Sequence, residues 1–238
     1  MRVVGGAWRG RPLQAPAGRG TRPTSDKVRE AAFDVLGALP EVRAAVVPLR
    51  AEPGAAETGP GGFGAAAGSL AGHHVLDIFA GSGALGIEAL SRGAAACTFV
   101  EAAPPALRAL RGNLERLGVP VVRPPAATGC AEPEAPRPRA VVLGADVRRA
   151  LAADARRHAR YTLVFADPPY DLYEQVRPAL ARLLGRVLVS GAVLVVESAA
   201  GTAAGLPWTV VREKRYGDTR VTFLVAGAAS AAEGESAD

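Results

Sequence analysis

The chain has 238 residues, of which 28 are lysine or arginine and 23 are aspartate or glutamate, giving a formal net charge of +5. This length suits one α/β domain, and a hydrophobic content of 49% excludes an intrinsically disordered protein. The sequence has no apolar run of the roughly 18 residues that a membrane span needs and no apolar signal-peptide core, so a cytoplasmic protein is expected. Two cysteines and three histidines argue against a disulfide framework and a metal site.

The positive charge is concentrated at the N-terminus. Residues 1–30 contain seven basic and two acidic residues, whereas the rest of the chain contains 21 of each sign. Nucleic-acid binding by this segment is one explanation. A solvated arginine-rich arm is the other, because alanine, glycine, proline and arginine all have GC-rich codons.

The first 72 residues divide into two parts. Glycines and prolines break residues 1–20 into short extended pieces, and a helix is predicted to begin after Thr24 or Ser25, either of which can cap it. Residues 1–36 are therefore interpreted as a basic N-terminal extension with a helix. Residues 40–71, rich in alanine, glycine and proline, are interpreted as a flexible insertion without a core of its own.

Strands and helices alternate over residues 72–226, with a proline-rich insertion at 124–139, and residues 227–238 are predicted to be a disordered tail. Residues 140–143 form either a further strand or the displaced end of strand 119–123. The alternation predicts a doubly wound, mostly parallel sheet that binds ligands at the carboxyl ends of its strands. The strands are predicted at 74–79, 97–101, 119–123, 161–166 and 186–197 with a closing hairpin at 208–215 and 220–225, and the helices at 84–91, 104–117, 147–155 and 173–184.

The first predicted strand runs into the sequence DIFAGSGALG at residues 77–86. Gly81 and Gly83 allow a sharp turn and a close approach to a ligand. The pattern is similar to a dinucleotide-binding turn, but the preceding Asp77 would repel a pyrophosphate and attract an ammonium group. The turn therefore favours S-adenosylmethionine (SAM) over NAD, and a plain strand-to-helix turn is the alternative.

Two further strand ends carry acidic residues. Glu101 lies 24 residues beyond Asp77, where a carboxylate can accept hydrogen bonds from both hydroxyls of a ribose. Asp167 begins the sequence Asp-Pro-Pro-Tyr, in which two prolines remove the amide donors. The acceptors that remain, the Asp167 carboxylate and the Pro168 carbonyl, suit an exocyclic amino group, and Tyr170 offers a ring on which a base can stack. A tight loop with a packed tyrosine is the alternative.

With the N-terminal sequences MRVVGG, WRGR and TRPTSDKVRE, and with EALSRGA at 88–94, these motifs resemble the RsmD family of bacterial 16S ribosomal RNA guanine-N2 methyltransferases. The resemblance implies a Rossmann-like class I SAM-dependent methyltransferase fold: α/β, with a mostly parallel seven-stranded sheet, a C-terminal antiparallel hairpin and a short N-terminal extension. It also implies methyl transfer from SAM to the N2 amine of one guanine by direct displacement, without a metal. The expected partner is 16S rRNA, within a 30S subunit or an assembly intermediate, and the expected state is a monomer.

The resemblance assigns roles to particular residues. The expected catalytic residues are Asp167, Pro168, Pro169 and Tyr170. The expected SAM-binding residues are Asp77, Phe79, Ala80, Gly81, Ser82 and Gly83 on the methionine side, Glu101 at the ribose, and Asp146 with Val147 at the adenine. The expected RNA-binding residues are Arg2, Arg9, Arg11, Arg22, Thr24, Lys27 and Arg29.

Two other functions fit the strand-end motifs. One is an amino-methyltransferase acting on DNA adenine or on a protein glutamine amide, against which only the N-terminal block argues. The other is a non-catalytic RNA-binding module, against which the presence of all three motifs argues.

Overall fold

The computed structural model describes residues 1–16, 25–45, 70–124 and 138–227. The predicted alternation of strands and helices is confirmed. The elements are a 3-10 turn (Gly6–Trp8), α1 (Asp26–Ala38), α2 (Pro40–Ala44), β1 (His74–Ile78), α3 (Ala84–Ser91), β2 (Ala96–Glu101), α4 (Pro104–Leu117), β3 (Val121–Val122), β4 (Arg139–Gly144), α5 (Val147–Arg156), β5 (Tyr161–Ala166), α6 (Tyr170–Leu184), β6 (Leu188–Ala199), β7 (Thr209–Tyr216) and β8 (Thr219–Val225).

The strands of the described ranges form one sheet in the order β3-β4-β2-β1-β5-β6-β8-β7. All pairings from β3 to β6 are parallel, and β8 pairs antiparallel with both β6 and β7, so the predicted C-terminal hairpin is confirmed. β1 lies between β2 and β5, so the chain first adds strands on one side of β1 and then crosses over to add strands on its other side. This crossover point is where ligands bind in open α/β sheets.

The sheet has one strand more than predicted. Residues 119–123 and 140–143 belong to two separate strands, β3 and β4, which lie side by side with Val121 opposite Ala140. The segment left open by the sequence, 140–143, is therefore a further strand, and the predicted strand 119–123 is shortened to the two valines of β3, which are exposed at the edge of the sheet. β4 begins at Arg139, the last residue of the predicted proline-rich insertion, and residues 125–137 lie outside the described ranges.

The predicted boundaries of the 40–71 insertion are wrong at both ends. Residues 40–44 form α2, and Val42 and Ala45 are buried in the core, as is Leu70. The backbone amide of Leu70 donates to the carbonyl of Arg92, which anchors the returning chain. Isolated apolar residues in an alanine- and proline-rich stretch give no periodic signal, so the pattern could not reveal this packing. Residues 46–69 lie outside the described ranges.

The core consists of two apolar layers, one on each face of the sheet. All six residues of β5 are buried: Leu163 and Phe165 face the layer that contains α1 and α3, and Val164 and Ala166 face the layer that contains α5 and α6. Cys97 is buried in the first layer. Among the described residues, no helix is both long enough and apolar enough to span a membrane.

Candidate active site

Four connecting segments meet at the carboxyl edge of the parallel strands. The register places Ile78 of β1 opposite Val100 of β2 and Ala166 of β5, and Glu101 opposite Gly144 of β4. The segments that follow these strands contain the glycine turn, Glu101, Asp146 and Asp167. The three predicted motifs are therefore brought to one edge of the sheet.

The glycine turn has left-handed backbone at three positions. Phe79, Gly81 and Gly83 have φ of +62°, +57° and +82°. A Cβ at Gly83 would lie 2.4 Å from Leu110 Cδ1, whereas a Cβ at Gly81 would meet no atom within 4 Å. Gly83 is thus packed against the core, while Gly81 faces open space at the strand edge, where its missing side chain leaves room for a ligand.

Glu101 holds the turn in place through backbone amides. Its Oε2 accepts from Gly81 N at 2.8 Å, and its Oε1 accepts from Ala103 N at 2.7 Å. The side chain is partly exposed. Because each carboxylate oxygen has a second lone pair, both oxygens can accept a further hydrogen bond, as a ribose diol would require.

Asp77 is buried beneath the turn. It is 1% exposed, and its Oδ2 accepts from Gly86 N at 2.9 Å, so it ties β1 to the first turn of α3. Burial raises the pKa of Asp77 to about 7; the Gly86 amide opposes this shift, and the charges of Asp167 and Glu101 add to it. The negative charges of Asp167 and Glu101 thus act on Asp77 at this edge, which favours a cationic ligand over an anionic one.

The segment Asp167–Tyr170 joins β5 to α6. Pro168 is buried, Pro169 caps α6, and Tyr170 is the first residue of that helix, which begins three residues earlier than predicted. The Tyr170 side chain is 47% exposed, and its hydroxyl lies 3.0 Å from Thr219 Oγ1 on the C-terminal hairpin. The ring is thus fixed at one end by the hairpin, and much of its surface remains open to stacking.

The two residues predicted to contact adenine lie at the start of α5. Asp146 is exposed and caps the helix, since its Oδ1 accepts from Arg148 N at 2.9 Å. Val147 is 3% exposed and packs in the core, so only its backbone is available to a ligand. Ala80 and Ser82 of the glycine turn are also buried.

The N-terminal arm, residues 1–16, packs against α3 and α4. Within it, Val3 N donates to Arg11 O and Gly10 N donates to Val3 O. Four predicted RNA-binding residues are exposed: Arg2, Arg9 and Arg11 in the arm, and Lys27 in α1. Arg22 and Thr24 lie outside the described ranges.

The prediction for Arg29 is wrong. Its side chain is fully buried, donates to Asp26 Oδ1 at 2.8 Å and to the carbonyl of Arg2, and lies 3.9 Å from Glu88 Oε2. Arg29 falls on the same face of α1 as Ala32, Phe33 and Leu36, which are also buried. The charge count identified a basic segment, but it could not show which face of α1 packs against the core.

Two buried polar residues that anchor the arm were not identified as such from the sequence. Glu88 of α3 accepts from Val4 N at 2.8 Å and from Arg92 Nε at 2.7 Å. Asn113 of α4 is fully buried and bonds both to Gln14 of the arm and to the carbonyl of Ser82 in the glycine turn. The available signal was an asparagine on the apolar face of α4, at helical spacing from Ala109 and Leu110.

Comparison with known proteins places these features in a family. Residues 1–225 match the family described as conserved hypothetical protein 95. The Bacillus subtilis protein YlbH, whose name ascribes to it an rRNA methyltransferase activity, is 34% identical over 230 residues, covering 94% of this chain and 97% of YlbH. Ribosomal RNA small subunit methyltransferase D of Escherichia coli is 30% identical over 224 residues, covering 91% of this chain and 85% of that protein.

A solved structure shows the same fold. The Escherichia coli protein yhhF, described as a methyltransferase, superposes with a TM-score of 0.64 at 28% identity, and the match covers 96% of this chain and 98% of yhhF. The predicted Rossmann-like methyltransferase fold is thereby confirmed.

Asp77 gives a testable pH dependence. Because its pKa rises from an ordinary value of 3.8 to about 7 on folding, the folded state binds a proton more tightly than the unfolded state between these values. The contribution of Asp77 to the free energy of unfolding is therefore full below pH 4 and is lost as the pH rises to 7, by up to about 1.4 kcal/mol per pH unit. In Asp77→Asn the side chain stays neutral, so this part of the pH dependence of the free energy of unfolding disappears.

Denaturant titrations of the wild type and Asp77→Asn between pH 4.5 and 7.5 measure this difference. Asp171→Asn, at an exposed position in α6, controls for adding an amide. If the free energy of unfolding changes with pH in parallel for the wild type and Asp77→Asn, the raised pKa of Asp77 is contradicted.

The two glycines of the turn are expected to respond differently to alanine. Gly81→Ala should destabilise the fold by only about 1 kcal/mol, from the left-handed backbone alone. It should nevertheless weaken binding of the product S-adenosylhomocysteine (SAH) strongly, because the new methyl group occupies the open space. Gly83→Ala should destabilise the fold more, since its methyl group adds a core clash that costs about 1–3 kcal/mol. Thermal unfolding and calorimetry with SAH distinguish the two variants, and unchanged SAH affinity in a folded Gly81→Ala would exclude this turn from the cofactor site.

Proposed function

This chain belongs to the RsmD family, and we propose that it transfers a methyl group from SAM to the N2 amine of a guanine in 16S rRNA. The observation that carries the proposal is the juxtaposition, on the neighbouring strands β1 and β5, of the open turn at Gly81 with the acceptor-only turn at Asp167. The name of the Escherichia coli relative supports small-subunit rRNA as the substrate class. The Asp167 turn suits exocyclic amines in general, so the choice of the guanine N2 amine rests on the resemblance of the N-terminal sequences to the RsmD family.

The described residues fit SAM. When bound, SAM supplies an electrophilic methyl group on a sulfonium centre. Gly81 leaves room for the ligand, and the free lone pairs of Glu101 accept hydrogen bonds from the ribose hydroxyls. Asp146 is exposed at the N-terminus of α5, where its second carboxylate oxygen can accept from the adenine amine. The carboxyl groups at the edge favour the positive charge of the ligand.

The Asp167 turn orients the acceptor amine. The two amine hydrogens of guanine need two acceptors, and the Asp167 carboxylate and the Pro168 carbonyl provide them where prolines have removed competing amide donors. Holding both hydrogens draws the nitrogen lone pair out of conjugation with the ring and directs it at the methyl carbon. The C–N bond forms as the C–S bond breaks, and the amine then loses one proton to water or transiently to Asp167. Positioning is the main contribution of the protein.

The exposed cations of the arm and of α1 supply phosphate contacts. Arg2 has a side chain that is 70% exposed, and Arg9, Arg11 and Lys27 are exposed as well. The target guanine has to be unpaired or turned out of its stack to reach Asp167. We infer that the protein acts as a monomer in the cytoplasm, on a 30S subunit or an assembly intermediate.

Transfer of a labelled methyl group from SAM tests the substrate. The purified protein is incubated with 30S subunits, naked 16S rRNA, duplex DNA or a mixture of ribosomal proteins, and the modified nucleoside is identified after digestion. Label in N2-methylguanosine of 16S rRNA is expected. Label in DNA adenine or in a glutamine amide, but not in rRNA, would favour the alternative amino-methyltransferase. Binding of 30S subunits without any methyl transfer would favour a non-catalytic module.

Replacement of Asp167 tests the amine-binding turn. Asp167→Ala should lower turnover by about 100-fold or more, because the amine loses the acceptor that orients it. SAH affinity should remain largely intact, since the ribose and adenine contacts are elsewhere. Asp171→Ala, at an exposed position four residues along, serves as the control. Wild-type turnover in a correctly folded Asp167→Ala would refute this role.

Charge reversal tests the arm. The double variant Arg9→Glu/Lys27→Glu should weaken rRNA binding and reduce the slope of log affinity against log salt by about 0.7–0.9 for each phosphate that the protein no longer neutralises. Arg182→Glu/Arg186→Glu changes the net charge equally at exposed positions in and just after α6 and should have a smaller effect. Filter binding at several salt concentrations measures both variants. Equal effects of the two pairs would indicate that the arm is a solvated segment whose arginines reflect codon usage.

A further inference from the structure

Asn113 joins the N-terminal arm to the glycine turn through a single buried carboxamide. Its Oδ1 accepts from Gln14 N at 2.8 Å, and its Nδ2 donates to Gln14 O at 3.0 Å. The same Nδ2 donates to Ser82 O at 2.9 Å. Both hydrogens of the amide are therefore used, one on each segment, and the side chain is fully buried.

Because one side chain binds both segments, a movement of the arm at Gln14 affects the glycine turn at Ser82, and the reverse also holds. Ser82 lies between Gly81, which faces the open space, and Gly83, which is packed in the core. The Gln14 backbone can keep its hydrogen bonds only while Asn113 holds its present rotamer, and that rotamer also fixes the Ser82 carbonyl. A second contact supports the link, because Ser82 Oγ lies 3.7 Å from Met1 Sδ at the start of the arm.

We propose that Asn113 is a positioning residue that couples RNA binding at the arm to SAM binding at the glycine turn. The inference rests on the proposed function, because it requires that RNA bind the arm. Phosphate contacts at Arg9 and Arg11 restrict the motion of the arm, and the Gln14–Asn113–Ser82 hydrogen bonds restrict the motion of the turn in consequence. Coupling between binding sites is reciprocal, so SAM strengthens RNA binding by the same factor.

The sharpest variant is Asn113→Asp. Aspartate retains an acceptor for Gln14 N and for Arg116 Nη2, both of which donate to Asn113 Oδ1, but an ionised carboxylate has no donor for Gln14 O or Ser82 O. Gln14→Ala is the matched control: it removes only the side chain, whose Oε1 accepts from Arg116 Nη1 at 3.1 Å, and leaves the backbone pairing with Asn113.

SAH affinity of the full chain is measured by calorimetry with and without a saturating 16S rRNA fragment that contains the target guanine. In the wild type and in Gln14→Ala, RNA should tighten SAH binding about fivefold or more, the lower end of usual coupling factors. In Asn113→Asp the factor should fall close to one. If Asn113→Asp weakens SAH binding equally with and without RNA, its role is structural only and the proposal is overturned.

Hydrogen exchange in the wild type provides a second test that does not depend on the variant folding. Binding of the RNA fragment without SAH should slow exchange of the Gly81 amide, which donates to Glu101, and of the Gly83 amide, which donates to Ala80 O. Slower exchange confined to the arm would overturn the proposal. Failure of the proposed function gives a different result: the wild type then either does not bind the RNA fragment or binds it without methylating it when SAM is supplied.

Discussion

The parallel pairing of β1 with β2 and β5 is the constraint on which the candidate site depends. Because Ile78 lies opposite both Val100 and Ala166, the glycine turn, Glu101 and Asp167 leave the sheet at the same level. A slip of one residue in either pairing would exchange the side chains that a strand presents to the two apolar layers, so the residues that form the core also fix the register of the site. Packing of the core therefore positions the residues of the candidate site, although the core residues themselves take no part in the proposed reaction.

A second set of contacts connects the site to the arm through buried polar side chains. Asp77, Glu88 and Asn113 are each at most 1% exposed, and each accepts a hydrogen bond from the backbone of another segment. A buried polar group left without its partner is destabilising, so each of these side chains specifies one arrangement of the segments that it joins. Together with Val3 and Leu13, which are buried in the core, the contacts of Glu88 and Asn113 hold the arm on the domain in a defined conformation.

The sequence was most informative where a signal is local. The bounds of β5 were predicted correctly because five of its six consecutive residues are apolar or aromatic, as is typical of a strand buried on both faces. Ser25 caps α1 as predicted, accepting from Val28 N. It was least informative where burial depends on distant residues. The burial of Arg29 depends on Glu88 of α3, and Val42 is buried because α2 packs on β6; both partners lie far along the chain.

In the proposed reaction, the basic arm and the acidic strand edge act on different parts of the RNA. Glu101 and Asp167 lie at the strand edge above the buried Asp77, so in the proposed reaction their negative charge disfavours the phosphate backbone of RNA at that edge. Arg9 and Arg11 offer the phosphates an alternative on the arm. A guanine that carries no charge itself and has two amine hydrogens can enter where its backbone cannot, provided that it leaves its stack. In the proposed reaction the excess of five positive charges near the N-terminus would bind RNA phosphates, while the acidic strand edge would receive the uncharged guanine.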